Sequence, residues 1–464
     1  MIDAGIIEGV YLIGIGGIGM SALARYFIAG GFTVSGYDRS ETDLTLSLSE
    51  EGCDISYDDD LNEVPELFLD LSGKDKTIII YTPAIPSDNK IITYFRHNEY
   101  KLFKRAEILG EISEKTDTLA ISGTHGKTTV STIIAHLLKQ SHVDCSAFLG
   151  GISKNYNTNL LLGKGRYTVI EADEYDRSFH SLKPMLAVVT SLDPDHLDIY
   201  GDHITMIAAY NEFCAKIRKG GILILNRKIV NNIIVPSGVK IFTYGFEEDS
   251  DYRSFNIRQS GGSYKFDLKT PEKVFTDIHF GFPGVINIEN ATVASAVALI
   301  SGVSEMELRK ALFSFRGVRR RFDIRINYPD LVYIDDYAHL PEEIRACITS
   351  VREYFSGRKI TGIFQPHLFS RTRDHAEGFA EILDQFDEVI LLPIYPAREK
   401  PIEGVSSKMI FVNMKLQKKR LLNKNDIPGK LDIENLDVLL TIGAGDIDRL
   451  VDPIEEELRR RRKR

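Results

Sequence analysis

The stretch SGTHGKTTVST, residues 122–132, decides how this chain is read. It has the glycine, lysine and threonine of a phosphate-binding loop, yet Ile121 stands where the pattern G-x-x-x-x-G-K-[ST] has its first glycine. The apolar run DTLAI precedes it, and VSTIIAHLLKQ, with apolar residues on one face, follows it. The predicted order is therefore strand, turn, helix. A helix N-terminus offers unpaired amide protons and a positive dipole end to a phosphate. In that setting Lys127 is expected to reach the outer phosphates of a nucleotide, and the Thr128 hydroxyl to ligate magnesium.

Two later strands end in chemistry that suits such a loop. VIEADE delivers Glu171 to the C-terminal edge of a sheet, and SLDPDHLD delivers His196 among three aspartates. Each alone reads as solvated loop charge or a hydrogen-bonded loop histidine. Adjacent strand ends carrying lysine, glutamate and histidine together point to a metal and nucleotide centre.

Upstream, residues 10–38 read as strand, glycine turn, helix, strand, with Gly14-x-Gly16-x-x-Gly19 after the first strand and Asp38 closing the second. That is the context of a dinucleotide fingerprint, and it leaves open a nicotinamide or another phosphate-bearing ligand. A strand at TIIIYTPAI and a helix at KRAEILGEI place a domain boundary near residue 107. A second strand and helix series follows, with a β-rich insert expected between about residues 220 and 280. A third begins after FRGVRRRF, with strands at LVYIDD, ITGIFQPH, DEVILLPIY and LDVLLTIGAGD. The expectation is an α/β protein of three domains, 1–107, 108–318 and 319–464, each built on a parallel sheet.

A chain of 464 residues is too long for one core. The net charge of −9 argues against a nucleic-acid binder, which would carry a basic surplus. The terminal RRRRKR reads as the solvated end of a last helix. Cys53, Cys145, Cys214 and Cys347 stand far apart, which disfavours disulfides or a zinc site and suits a reducing cytoplasm. The acidic N-terminus does not read as a signal peptide, and no segment approaches the ~20 apolar residues of a membrane span.

GIGGIGMSALA, SGTHGKTT, EADE, DPDHLD, RRRF, DDYAH and FQPHLFSRTRD occur in the order and rough spacing of the Mur ligases of bacterial cell-wall synthesis, and nearly the whole chain resembles that family. The family's own loop is G-T-x-G-K-T, which residues 123–128 match, so the missing glycine is a family trait. The resemblance implies a Rossmann-like N-terminal domain for a UDP-sugar, a central phosphate-loop ATPase domain and a Rossmann-like C-terminal domain that closes over the site with an amino acid. It implies an ATP-dependent amide ligase joining L-alanine to UDP-N-acetylmuramate through an acyl phosphate, with two Mg2+ ions for which Mn2+ could substitute.

By the same resemblance, Gly123, Thr124, Gly126, Lys127, Thr128, Thr129, Asn287, Asn290, Arg321 and Asp336 contact ATP, and Thr128, Glu171 and His196 hold metal. Lys127, Glu171, His196 and Arg321 carry the catalysis. Gly14, Gly16, Gly17, Gly19, Met20, Asp38 and His125 take the UDP-sugar, and Tyr337, His339, His367 and Arg371 the amino acid. Ile286, Leu340 and Leu368 depart from the family's usual histidine, histidine and arginine. IAAYNEFCAK offers Tyr210 and Asn211 but no lysine before Lys216, so no carbamylated lysine is expected. Three other readings remain: a murein-peptide recycling ligase that adds a tripeptide to the same sugar nucleotide, a nicotinamide-dependent dehydrogenase using the first glycine motif, and a non-catalytic nucleotide sensor that keeps the phosphate loop alone.

Overall fold

The computed structural model describes residues 6–195, 197–260, 263–397 and 399–462. Five strands, β1 (Gly9–Ile13), β2 (Thr33–Tyr37), β3 (Asp54–Ser56), β4 (Thr77–Tyr81) and β5 (Leu102–Lys104), form a sheet in the order β3-β2-β1-β4-β5. All its pairings are parallel. The chain runs outward from β1 and then returns to β4, so a crevice opens between the loops that follow these two strands. Their near-continuous apolar runs reflect burial on both faces.

Ten strands form the second sheet: β6 (Asp117–Ser122), β7 (Cys145–Ser153), β8 (Thr158–Leu161), β9 (Tyr167–Glu171), β10 (Leu186–Val189), β11 (Ile222–Asn226), β12 (Lys240–Gly245), β13 (Tyr252–Ser260), β14 (Ser263–Lys269) and β15 (Val274–Phe280). Their order is β15-β14-β13-β12-β11-β10-β6-β9-β7-β8. The stretch expected as a β-rich insert is thus a continuation of this sheet, joined where β12 pairs with β13. The sheet is also not wholly parallel, since β7 and β8 pair antiparallel.

The third sheet, ordered β16-β17-β21-β18-β19-β20, holds β16 (Asp323–Asn327), β17 (Val332–Asp336), β18 (Ile360–Phe364), β19 (Glu388–Leu391), β20 (Lys419–Leu421) and β21 (Val438–Ile442). The four strands expected here all form, and β16 is an antiparallel edge. The last helix, Val451–Arg462, carries Arg459, Arg460 and Arg461, paired with Glu455 and Glu457.

The chain divides into two compact units: Met1–Arg258 with Lys265–Phe280 and Glu289–Arg316, and Gln259–Tyr264 with Gly281–Ile288 and Gly317–Arg464. The first unit contains the five-stranded sheet and nearly all of the ten-stranded one. Residue 107 falls inside the helix Arg105–Lys115, and the second unit resumes at Gly317.

Packing explains why two sheets share a unit. The helix Ile18–Ala29 lies against β7 and β8, with Tyr26 and Phe148 rings 5.5 Å apart, and one apolar cluster runs from Val10 and Leu23 to Phe148, Ile170 and Leu223. Arg25, 9% exposed, donates to Asn159 Oδ1 and to both carboxylate oxygens of Glu51. Asn159 Nδ2 donates in turn to Ile18 O at 2.6 Å. All four cysteines are buried and free. Among the described residues, no helix is long and apolar enough to cross a membrane.

Asn159→Leu removes the acceptor of Arg25 Nη1 and one of two side-chain donors to the Ile18 carbonyl, while Glu51 and Ser21 keep their contacts, and should destabilise the first unit by about 1–2 kcal/mol, read as a lower urea midpoint. His136, in the helix Lys127–Lys139, is held between Tyr156 Oη and the Ala311 carbonyl. Burial pushes its pKa down from 6.5 to about 4. The unfolded chain then binds the proton more readily, so His136 supports stability above pH 6.5 and loses that support as pH falls toward 4. Unfolding midpoints should fall across that window, and less steeply in His136→Gln.

Candidate functional site

β6 lies between β9 and β10, so the loops after these three strands converge at one sheet edge. Gly123 has φ +127°, and a Cβ there would lie 2.1 Å from Thr190 Oγ1 after β10. Only glycine fits that position. Gly126, at φ +82°, precedes the helix Lys127–Lys139. Thr124 Oγ1 meets Ser191 Oγ at 2.9 Å, and the His125 amide donates to the same serine at 2.8 Å. Thr129 is buried in the helix. A Cβ on Gly126 would come within 2.9 Å of Asn290 Oδ1, so Asn290 borders the loop. Asn287 belongs to the second unit, where its Nδ2 donates to Pro283 O, and Ile286 beside it is exposed.

Lys127 Nζ donates to Gly123 O and to Glu174 Oε1, both at 2.7 Å. The lysine side chain is 14% exposed and that of Glu174 1%. Burial opposes the ammonium, but the carboxylates of Glu174, Asp173 and Glu171 outweigh it and the lysine pKa is raised. Burial raises Glu174 as well, against the pull of Lys127. The short contact identifies a charged pair. Beside it, Thr128 Oγ1 donates to Glu171 Oε1 at 2.9 Å, and the Gly150 amide donates to Glu171 Oε2. A hydroxyl and a carboxylate are hard oxygen donors of the kind magnesium takes while keeping several waters. His196, the third expected ligand, lies outside the described residues.

After β9 the chain turns through Asp176 and Arg177, at φ 52° and 55°, a left-handed pair costing roughly 1–3 kcal/mol per residue. Asp173 takes Arg105 at 3.2 Å and Asp176 takes Lys104 at 2.9 Å. Those two cations line a cavity of about 210 Å³ with Gly17, Ile18, Gly19, Met20, Thr82 and Pro83. This is the crevice between the loops after β1 and β4. Gly14, at φ +86°, opens the first of them. Asp38 Oδ2 accepts from the Gly16 amide at 2.8 Å, so this carboxylate braces the glycine turn. Lys104 and Arg105 were read only as a helix start, because the glycine motif they meet in the fold ends far upstream at Gly19.

In the second unit, Asp336 ends β17 and accepts from the amides of Phe322 and Ala338 at 2.6 and 2.8 Å. Burial raises its pKa, and Arg321 opposes the shift. The Arg321 guanidinium lies 4.8 Å from the Tyr337 ring centroid. His339 and His367 rings are 6.1 Å apart, and Arg371 Nη1 lies 3.5 Å from His367 Nδ1. The structure thus brings Arg321, Asp336, Tyr337, His339, His367 and Arg371 to one sheet edge, after β17 and β18. Leu340 and Leu368 are both buried there, and Leu368 holds φ +69°.

A glycine-turned phosphate loop at a parallel sheet edge, with a carboxylate on its threonine, defines an α/β protein of the phosphate-loop nucleotide-binding class. The chain belongs to the Mur ligase family: residues 9–116 match the model described as Mur ligase family, catalytic domain; 121–298 the Mur ligase middle domain; and 320–445 the Mur ligase, glutamate ligase domain. Among curated relatives, a UDP-N-acetylmuramate--L-alanine ligase of Parabacteroides distasonis is 48% identical, covering 98% of each chain. One of Porphyromonas gingivalis is 49% identical over 97% of this chain and 98% of the other. Among solved structures, a UDP-N-acetylmuramate-alanine ligase of Thermotoga maritima superposes with TM-score 0.82 at 27% identity, over 97% of this chain and 99% of that one. A murein peptide ligase of Psychrobacter arcticus shares the fold, with TM-score 0.71 at 20% identity over 97% and 98% of the two chains.

Lys127→Ala removes the loop's only side-chain cation and leaves Glu174 buried without it. Nucleotide-dependent phosphate release should fall by roughly a hundredfold or more. A phosphate assay checks this, with a melting curve to show that the variant folds.

Proposed function

We propose that this chain is an ATP-dependent ligase that joins L-alanine to UDP-N-acetylmuramate. The observation that carries the reading is the Lys127, Thr128 and Glu171 constellation at the phosphate loop, in a chain nearly half identical over its whole length to curated ligases of that name. The murein peptide ligases are similar at the level of fold, and a dehydrogenase reading would leave Lys127, Thr128 and Glu171 without a task.

In this reading the lactyl carboxylate attacks the γ-phosphorus of ATP, and ADP leaves. The acyl phosphate that results is attacked by the neutral amine of L-alanine. The tetrahedral intermediate collapses to the amide and releases inorganic phosphate. The first step brings two anions together, so positive charge must stand between them. Lys127 supplies it from the loop, and its exchange of Glu174 for a phosphate oxygen orients the outer phosphates. Thr128 and Glu171 would hold Mg2+, which when bound supplies further charge against the phosphates. Arg371 suits the alanine carboxylate as a bidentate partner, with His339 and His367 near it, while Arg321 and Asp336 serve the ATP side.

The division of labour we assign is 1–107 for the sugar nucleotide, 108–318 for ATP, and 319–464 for the amino acid. Gly14, Gly16, Gly17, Gly19 and Met20 border the sugar nucleotide, with Asp38 supporting the turn and His125 nearby. We assign the reaction to the cytoplasm, where ATP is available and four free cysteines stay reduced.

The test is phosphate release with ATP, magnesium and UDP-N-acetylmuramate, comparing L-alanine, glycine, L-serine and an L-Ala-γ-D-Glu-meso-diaminopimelate tripeptide, with products weighed by mass spectrometry. Turnover is expected with L-alanine and a monoalanyl product. Turnover with the tripeptide alone would overturn the assignment in favour of recycling.

A further inference from the structure

Three carboxylates on one short loop hold three cations that belong to two different pockets. Asp173 pairs with Arg105 and Asp176 with Lys104, both cations lining the cavity at the start of the helix Ile18–Ala29. Glu174, between them in sequence, pairs with Lys127 of the phosphate loop. The loop is wound tightly around these pairs. Asp173 Oδ1 accepts from the Tyr175 amide at 3.0 Å, Tyr200 Oη donates to Glu174 O at 2.5 Å, and the Arg177 guanidinium lies 5.7 Å from the Tyr200 ring centroid. Its backbone is left-handed at Asp176 and Arg177, so the arrangement is one the surroundings impose.

The Arg105 guanidinium also sits in an electrostatically adverse place. A Cβ on Gly19 would lie 2.1 Å from Arg105 Nη1, so the cation rests directly on the first turn of a helix, at its positive end. Asp173 is the anion that balances it. A phosphate entering the cavity would satisfy the guanidinium and the helix end together, and Asp173 would then be displaced.

We infer that Asp173, Glu174 and Asp176 are positioning residues that couple the two nucleotide pockets, each carboxylate keeping one cation in place until a phosphate takes it over. The inference rests on the proposed function for the identity of the two ligands. The loop has two arrangements, engaged with the cations or released from them. Either nucleotide binds better to the released one. Each therefore favours the other, by the same factor in both directions. The pairs of Asp173 and Asp176 are partly exposed, which makes their exchange cheap.

The experiment is titration calorimetry on the full chain, with UDP-N-acetylmuramate added in the absence and presence of a saturating non-hydrolysable ATP analogue and magnesium. The wild-type protein should bind the sugar nucleotide about fivefold or more tightly with the analogue present, and the reverse titration should return the same factor. In Asp173→Asn, which keeps the shape and the Tyr175 contact, affinity without the analogue should rise and the coupling factor should fall toward one. Asp176→Asn should shift both in the same direction by less, and provides the test if Asp173→Asn does not fold. Binding of both ligands without coupling, or unchanged coupling in the variants, overturns the inference and leaves the proposed function standing. Absence of sugar-nucleotide binding overturns both.

Discussion

A lysine ammonium placed under the surface at the first turn of a helix is opposed by that helix's own dipole and by the loss of water, and the active region is organised around keeping Lys127 there. Two loop carbonyls and the buried Glu174 supply the compensation. For those carbonyls to turn inward, the backbone takes positive φ at Gly123 and Gly126. For Glu174 to arrive, β9 must neighbour β6, and the loop after β9 must accept two left-handed residues. The same strand end brings Glu171 to the Thr128 hydroxyl. The loop, the Thr128 and Glu171 contact and the strained turn follow from holding one charge.

A similar problem recurs at the cavity beside the glycine motif, where Arg105 rests on a helix N-terminus and is balanced by Asp173. Both compensating carboxylates come from consecutive residues. That is possible because the two sheets belong to one compact unit, joined by the helix Ile18–Ala29 packing onto β7 and β8. A shared apolar cluster holds the joint rigid, and the Arg25 and Asn159 hydrogen bonds give it a unique register. Chemistry that transfers a phosphoryl group between two bound anions needs its positive charges fixed beforehand, and this packing provides that.

Much of this was legible from local pattern. Gly-Lys-Thr after an apolar run announced the loop, and Glu171 followed from a strand ending in an acid. Asp336, His367 and Arg371 stood where β17 and β18 end. What escaped were partners distant in the chain. Glu174 read as one acid among several in EADE, and Arg105 as the start of a helix. Arg25 carried no local signal, since Asn159 completes its hydrogen bonding from 134 residues away. The β-rich stretch read as an insert because its joining pair, β12 with β13, is invisible to periodicity.

By itself the sequence determined the element types and the loop chemistry, because these depend on spacing within about ten residues and on the twofold or 3.6-fold rhythm of apolar side chains, and it pointed to the family through the order of short motifs along the chain. It also determined which residues could carry charge to a strand end. Only the tertiary structure decided which carboxylate meets which cation, that Asp38 braces its own turn, and that two sheets form one unit. Those outcomes depend on strand order and on burial, which make a charge costly unless a partner from elsewhere in the chain arrives beside it.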